Sequence, residues 1–357
     1  MNRKQRRTAD KLAKTQPKSA APHAAADAVV KKAIAAAQAG AVAEAEIALD
    51  EVLARFPDHI EAQHQKGTLL ARTNRVEGGI VLLRRATAGK PSEALYWNNL
   101  AAACLIIERS DEALAAARKA VELDPKYAMA WRNLAMAATD LGQHRQAAEA
   151  LERTVALIPK DAEAWSTLGL ACLEIGDGAR AETAFAKAVS LAPQNAECLS
   201  NLGGLLVKHG RSGEALPHLE KAAAIEPERF TAALHYGVAL TLTGDLPKGL
   251  RWLRRATSIK PRSDTAWGAL ADGATMVGEK AEALDAARRA VEFAPADPAH
   301  RDRLQKLERG GDAPGLALVE LNFGGLMDVS TLKAPPPQKE KEEGIDLSHS
   351  LDRIFIR

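Results

Sequence analysis

Residues 94–127 read ALYWNNLAAACLIIERSDEALAAARKAVELDPKY, and residues 128–161 read AMAWRNLAMAATDLGQHRQAAEALERTVALIPKD. Both segments are 34 residues long, and they share Trp, Leu, Ala and Pro at the same offsets. Proline recurs at this interval along most of the chain, at Pro57, Pro91, Pro125, Pro159, Pro193, Pro227, Pro261 and Pro295. A strict period of this length is typical of helix pairs stacked into a solenoid. Function is therefore expected on a surface rather than in a pocket.

The first half of each repeat has the pattern of an amphipathic helix. Counted within the repeat, apolar or small residues fall at positions 4, 7, 8 and 11, which share one face of a helix. Position 4 is a tryptophan in four repeats, namely Trp97, Trp131, Trp165 and Trp267. Glycine or alanine at position 8, such as Gly169 or Ala101, leaves room for a second helix to cross closely. Glycine at position 15, which tolerates positive φ, predicts the end of the first helix.

The second half of each repeat predicts another helix, with an inward face such as Ala113, Ala117 and Ala120. The proline near the end of the repeat disfavours α geometry in the residue before it and so stops this helix. Two second helices contain a further proline. Pro247 is expected in a first turn, where a missing N–H costs little, and Pro217 is deeper and is expected to kink its helix.

The composition agrees with a helical array. Aromatic residues make up only 4% of the chain, and runs of β-branched residues are scarce, which favours an all-α fold over a sheet. The signature of Trp, Leu, Gly, Ala, Phe, Ala and Pro at these offsets resembles the tetratricopeptide repeat over about three quarters of the chain. That resemblance implies a right-handed superhelical solenoid of eight helix-turn-helix repeats with a C-terminal capping helix.

The positions of the recurring prolines set the boundaries of the repeats. The repeats are predicted at 26–59, 60–93, 94–127, 128–161, 162–195, 196–229, 230–263 and 264–297. The first repeat is the least typical, as expected of a terminal cap. A basic N-terminal arm over 1–25, expected to be disordered, precedes the array. A capping helix over 298–311 follows it, and then a C-terminal tail over 312–357 with a Pro-rich spacer and a short amphipathic end.

The resemblance implies that the first helices line a concave groove that binds protein segments. Position 6 of each repeat then faces the groove, and it carries amides or hydroxyls through the centre of the array. The side chains in this row are Gln65, Asn99, Asn133, Thr167, Asn201 and His235. An amide offers both a donor and an acceptor, so such a row can pair with an extended peptide backbone. Asn99, Asn133 and Asn201 match by position the asparagine ladder of the Ser/Thr O-GlcNAc transferase-type repeat regions.

Apolar residues accompany this row on the predicted groove and are expected to receive peptide side chains. They are Leu105, Ile106, Met136, Leu170 and Leu173. Exposed apolar surface of this extent marks a binding site. Two alternatives stay open: the asparagines form structural bonds within their own repeats, and the apolar residues pack against the next repeat. If the asparagines bind a peptide, their replacement by alanine should weaken partner recovery and leave the melting temperature nearly unchanged.

Catalytic and cofactor motifs are absent from the sequence. It contains no Gly-rich phosphate loop, His-Glu-x-x-His, Cys-x-x-Cys or Gly-x-Ser-x-Gly. The histidines share no face, and Cys104, Cys172 and Cys198 lack metal-ligand spacing. Cys104 and Cys172, both at position 11, are predicted to be packed in the core. The tail after Gly311 is too short for a catalytic domain. We therefore expect a non-enzymatic protein with no cofactor and no metal.

Charge and hydropathy bear on partners and location. The first 18 residues contain seven Lys or Arg and one Asp, whereas residues 312–357 contain five basic and eight acidic residues. The arm lacks aromatic residues for stacking on bases, so nucleic acid is not an expected partner. No transmembrane stretch or apolar signal core occurs, which predicts a cytoplasmic protein, with an organelle transit peptide as the alternative.

The predicted function is that of an adaptor or scaffold that binds a peptide segment in its groove. One alternative is a partner that recruits substrates for a separate glycosyl- or methyltransferase. Another is a scaffold that self-associates at a membrane or filament, which would make it a homo-oligomer. The tail ends in a short amphipathic motif, with Leu347, Leu351, Ile354 and Phe355 on one face of a helix. This motif is expected either to bind a partner or to fold back into the groove of its own chain.

Overall fold

The computed structural model describes residues 20–310, and these residues form seventeen α-helices and no strand. The N-terminal end of the basic arm and the C-terminal tail, with its amphipathic end, lie outside the described residues. The helices are α1 (Ala20–Gln38), α2 (Val42–Arg55), α3 (Ile60–Arg72), α4 (Val76–Gly89), α5 (Ala94–Ile106), α6 (Ser110–Leu123), α7 (Ala128–Asp140), α8 (His144–Leu157), α9 (Ala162–Glu174), α10 (Gly178–Leu191), α11 (Ala196–Lys208), α12 (Ser212–Ile225), α13 (Phe230–Thr243), α14 (Leu246–Ile259), α15 (Asp264–Val277), α16 (Lys280–Phe293) and α17 (Pro298–Glu308).

The helices alternate as the repeat predicts. Odd-numbered helices are the first helices of their repeats, and even-numbered helices are the second helices. Helix α1 begins at Ala20, before the predicted start of the first repeat, and α17 stands alone after the eighth. Pro247 lies in the first turn of α14, as predicted, and Pro217 lies inside α12, which is continuous from Ser212 to Ile225.

The described residues divide into two compact units, and the boundary along the chain falls between Ala137 and Ala138, inside α7. In the N-terminal unit, over 20–137, α1, α3 and α5 each pack on the second helix of their own repeat, as α3 does on α4. First helices of successive repeats are also in contact, for example α3 and α5. The C-terminal unit, over 138–310, is built in the same way, and α17 packs on α16. Each unit thus has one layer of first helices and one of second helices.

The two helices of a repeat approach each other closely at position 8, as the small residues there predict. A Cβ added to Gly169 would lie 2.5 Å from the ring of Phe185, and one added to Gly203 would lie 2.5 Å from Cγ of Leu219. Phe185 and Leu219 are fully buried. Each occupies position 24 of its repeat, so a bulky residue of the second helix fills the space that glycine leaves.

The prolines that define the period also accept hydrogen bonds. The indole N–H of each position-4 tryptophan donates to the carbonyl of the proline six residues earlier. The pairs are Trp97 with Pro91 at 2.9 Å, Trp131 with Pro125 at 2.9 Å, Trp165 with Pro159 at 3.0 Å and Trp267 with Pro261 at 2.8 Å. Gln63 makes the same bond to the Pro57 carbonyl at 2.6 Å. The turn that ends one repeat is thereby tied to the helix that begins the next.

Position 15 has a left-handed backbone in every repeat. The glycines predicted to end first helices all have positive φ, and they are Gly40, Gly142, Gly176, Gly210, Gly244 and Gly278. Two repeats lack glycine there, yet Asn74 and Glu108 adopt the same conformation, with φ of 61° and 58°. Asparagine tolerates this region, whereas glutamate rarely occupies it. The fold therefore imposes backbone strain at Glu108.

Replacing Glu108 with glycine should relieve this strain. We expect Glu108→Gly to raise the free energy of unfolding by about 0.5–1 kcal/mol, measured by urea titration with circular dichroism. The matched control is Gly142→Ala, because a Cβ at Gly142 (φ 69°) would meet no atom within 4 Å. That variant should lose about 1 kcal/mol through the backbone alone. Equal stability of Glu108→Gly and the native chain would show that position 15 is unstrained.

Candidate functional site

The position-6 row in the N-terminal unit lies between successive first helices. Asn99 and Asn133 are only 2% and 0% exposed, whereas Gln65 is half-buried. The amide nitrogen Nδ2 of Asn99 lies 3.0 Å from Nε2 of His64, and Nδ2 of Asn133 donates to Oδ1 of Asn98 at 2.9 Å. His64 and Asn98 occupy position 5 of the preceding repeat. These amides therefore join one first helix to the next.

The C-terminal unit has the same arrangement. Nδ2 of Asn201 donates to Oγ of Ser166 at 3.1 Å, and Nδ1 of His235 lies 3.2 Å from the carbonyl oxygen of Ser200. Both partners again occupy position 5 of the preceding repeat. Thr167 differs, because its hydroxyl donates to the carbonyl of Glu163 in its own helix at 2.9 Å. We call these contacts between positions 6 and 5 the inter-repeat seam.

The seam changes what can be expected of the asparagines. A peptide could reach the amides of Asn99 and Asn133 only if their inter-repeat bonds opened, whereas Gln65, Thr167 and Asn201 are half-buried and closer to solvent. The Nδ2 groups of Asn99, Asn133 and Asn201 bond to the preceding repeat rather than within their own repeats. Peptide binding by the row stays a prediction.

The position-5 partners were not predicted from the sequence. Each of them lies 35 residues before a polar residue at position 6, and this spacing has a meaning only once the two helices are known to touch.

The apolar residues of the predicted groove are only partly covered. Leu105 is buried, with 9% of its surface exposed, and Ile106 and Met136 in the same unit are half-buried. Leu170 and Leu173 of α9 are half-buried in the C-terminal unit. Internal packing accounts for Leu105, whereas the other four keep apolar surface in contact with solvent.

A polar cluster surrounds Glu61 at the start of α3. The ring of His64 stacks on Tyr96 with centroids 4.1 Å apart, and the Tyr96 hydroxyl donates to Oε2 of Glu61 at 2.6 Å. Nε2 of Gln65 donates to Oε1 of the same carboxylate at 2.8 Å. Hydrogen bonds from His64, Gln65 and Tyr96 outweigh burial and lower the pKa of Glu61 to about 2. The carboxylate thus fixes three side chains at the N-terminal end of the row.

The free cysteines Cys104, Cys172 and Cys198 are buried, which confirms the predicted place of Cys104 and Cys172 in the core. Burial raises the pKa of Cys104 to about 12 and that of Cys198 to about 11. These side chains therefore stay as thiols at neutral pH and lack the thiolate that a nucleophilic cysteine needs.

Asp264, Asp297 and His300 are the one group of metal-ligand type that the described residues bring together. Nη1 of Arg303 lies 2.8 Å from Nδ1 of His300. Because a guanidinium only donates, Nδ1 accepts and Nε2 carries the proton that faces Asp264, 3.2 Å away. Arg303 also forms a buried bidentate pair with Asp272, at 2.7 and 3.1 Å. These contacts hold α17 against α15. The Nε2 atom of His300, which a metal would need as its ligand, carries a proton instead.

The repeat pattern matches a known protein family. Residues 64–128, 132–196 and 206–273 match the tetratricopeptide repeat. These segments make up more than half of the chain, and the protein belongs to the tetratricopeptide repeat family. No curated protein matches the sequence.

Solved structures show the same fold at low sequence identity. A chain of the Cut9–Hcn1 hetero-tetramer of the APC/C matches with a TM-score of 0.56 and 15% identity, over 74% of this chain and 52% of that one. This chain thus spans about half the length of that relative. PilF of Pseudomonas aeruginosa matches with a TM-score of 0.50 and 17% identity, over 58% of this chain and 94% of its own. YrrB, described as having an unusual peptide-binding site, matches with a TM-score of 0.43 and 21% identity, over 52% and 96%.

Family membership defines the general role. The tetratricopeptide fold is a protein–protein interaction scaffold and is typically a non-catalytic module. Within residues 20–310, no helix has both the length and the apolar composition needed to cross a bilayer. The likeness to the transferase-type repeat regions and the cytoplasmic location stay predictions.

The Glu61 cluster predicts a pH dependence of stability. Because its folded pKa lies below the ordinary value, ionised Glu61 stabilises the fold at neutral pH, and this contribution is lost as the pH falls from about 4.5 towards 2. Glu61→Gln should therefore show a shallower loss of unfolding free energy over this range than the native chain. Urea titrations at several pH values measure it. Parallel pH profiles would contradict the proposed hydrogen bonds.

The seam predicts unequal costs for its asparagines. Asn133→Ala removes the donor to buried Asn98 and should lower the free energy of unfolding by about 1–3 kcal/mol. Asn201→Ala, at the same position but half-buried, should cost about 1 kcal/mol or less because water can replace the lost bond. Urea unfolding of both variants compares them. A larger loss for Asn201→Ala would argue against the seam.

Proposed function

We propose that the protein is a non-enzymatic adaptor that captures an extended peptide segment on the first-helix face of its repeats. The proposal takes the faces of α5 and α7 in the N-terminal unit, and of α9 and α11 in the C-terminal unit, as separate binding surfaces. It rests on the family's role as an interaction scaffold and on the residues that these faces leave partly open.

The observation that carries the proposal is the incomplete burial of the apolar residues beside the position-6 row. Ile106 and Met136 keep solvent contact in one unit, as Leu170 and Leu173 do in the other, although smaller neighbours such as Ala102 and Ala171 are buried. Covering these side chains with a ligand would remove further apolar surface from water, at about 25 cal/mol for each Å². Apolar side chains of a peptide are therefore the main source of affinity in this proposal.

Polar groups would set the orientation of the peptide. Gln65 and Asn201 are half-buried, so their amides are the members of the row best placed to bond a peptide backbone. Asn99 and Asn133 have a positioning role here, because the seam bonds hold successive first helices at a fixed separation. Their loss would alter the spacing of the half-buried apolar side chains on successive first helices. Recruitment for a separate transferase and self-assembly stay predictions.

A displayed library of random dodecapeptides selected on the full-length protein tests the proposal. We expect enrichment of peptides with apolar residues, and loss of about 10-fold or more in affinity on Leu170→Asp/Leu173→Asp, because a carboxylate would face an apolar side chain. The matched control is Leu157→Asp/Ile225→Asp, which changes two partly exposed residues at the ends of second helices.

Fluorescence anisotropy with one selected peptide measures the affinities, and circular dichroism checks that each variant keeps its helicity. Equal binding by the native chain and Leu170→Asp/Leu173→Asp would place the peptide site elsewhere on the array. Stronger loss in the control pair than in the α9 pair would assign binding to the second-helix face instead.

A further inference from the structure

We infer that the outer face of α14 and the turn after it form a second binding surface, for an acidic segment of a partner protein. We call it the basic surface, and its cations are Lys248, Arg251, Arg254, Arg255, Lys260 and Arg262. It belongs to the second-helix layer of the C-terminal unit. It is thus separate from the first-helix faces proposed above, and neither proposal depends on the other.

Helix α14 differs in charge from every other second helix of the array. It contains Lys248, Arg251, Arg254 and Arg255 and no acidic residue, whereas each of the other seven second helices contains at least one Asp or Glu. The turn that follows adds Lys260 and Arg262, again without an acid. Stacking alone does not require this composition, because the other repeats stack with mixed charge.

The arginines of α14 share the face that points away from the core. Leu250, Leu253 and Ala256 form the buried side of the helix. Arg251, Arg254 and Arg255 are exposed, and Arg254 and Arg255 lie three and four residues after Arg251, which places both beside it on the helix surface. The periodicity that buries the leucines therefore gathers the guanidinium groups along one stripe.

Part of this charge is neutralised within the protein. Lys248 pairs with Glu220 at 3.1 Å, Arg254 pairs with Glu279 and Glu282 at 2.5 and 2.8 Å, and Arg255 pairs with Glu228. Arg251, Lys260 and Arg262 are exposed and form no ion pair with the acidic side chains of residues 20–310. These three cations supply the charge that a partner would complement.

Aromatic rings hold some of the cations in place. Tyr236 and half-buried Trp252 lie with ring centroids 5.4 Å apart. Nζ of Lys248 lies 5.1 Å from the centre of the Tyr236 ring, and the Arg255 guanidinium lies 5.6 Å from that of Trp252. Such contacts orient the side chains before a ligand arrives, which lowers the entropic cost of binding.

The charges of neighbouring helices indicate a short protein segment as the occupant. Glu214 and Glu220 lie on α12, and Asp285 and Glu292 lie on α16. The basic surface is thus confined to about one helix width, roughly 20 Å long for the fourteen residues of α14. A nucleic acid backbone or an anionic bilayer would extend over these acids and be repelled. A peptide with Asp or Glu side chains can follow the stripe and pair bidentately with arginine.

The test is binding of a fluorescein-labelled oligoglutamate peptide to the full-length protein, followed by anisotropy. We expect Arg251→Glu/Arg262→Glu to weaken binding by about 10-fold or more, since both cations are uncompensated. The matched control is Lys160→Glu/Lys187→Glu, which reverses the same number of exposed, unpaired cations in the same unit. It should change the affinity by less than about 2-fold at physiological salt, where screening limits distant charges.

Three outcomes would overturn the inference. The inference is wrong if the native chain does not bind the peptide at physiological salt. It is also wrong if both variant pairs weaken binding equally, because the peptide then responds to net charge alone. The third outcome is that a duplex oligonucleotide or phosphatidylserine vesicles bind more tightly than the peptide and that Arg251→Glu/Arg262→Glu abolishes this binding. The surface would then be assigned to that ligand. Peptides selected on the first-helix faces should bind this variant normally, so failure here leaves the adaptor proposal unaffected.

Discussion

The close approach of the two helices in each repeat is the constraint on which the rest of the structure depends. At Gly169 and Gly203 the backbone of the first helix lies so near the second that even a methyl group would overlap Phe185 or Leu219. Interiors packed at this density admit little change in volume. The small residue at position 8 and the residue that faces it from position 24 must therefore stay in phase, and this requirement accounts for the absence of insertions from the repeats.

The turns preserve that phase. A left-handed residue at position 15 reverses the chain inside each repeat. Between repeats, Trp or Gln at position 4 donates a hydrogen bond to the proline carbonyl of the preceding repeat and so links the two repeats. With both turns constrained, successive first helices meet in the same register, and positions 5 and 6 face each other. The inter-repeat seam is thus a consequence of turn geometry, and Glu108 is strained because the turn demands a conformation that suits glycine.

The two faces of the array differ in the physical basis of binding. The first-helix faces offer half-buried apolar side chains beside a few accessible amides, which suits a segment held by burial of apolar surface. The basic surface on α14 offers exposed cations, some of them held by aromatic rings, which suits carboxylates and gives salt-sensitive binding. An adaptor with two such faces can hold two protein segments at once, because they occupy opposite layers of the repeat.

Sequence alone determined the period, the helix pairs, the glycine turns and the family, because these follow from local spacing that repeats along the chain. It also placed Leu170 and Leu173 on a partly open face. Tertiary structure alone decided the environment of the amides. Exposure depends on which neighbouring helix covers a residue, so Asn99 and Asn133 became buried while Asn201, at the same position, stayed half-buried. Their partners lie 35 residues away, and only the packing of one repeat on the next brings those side chains within hydrogen-bonding distance.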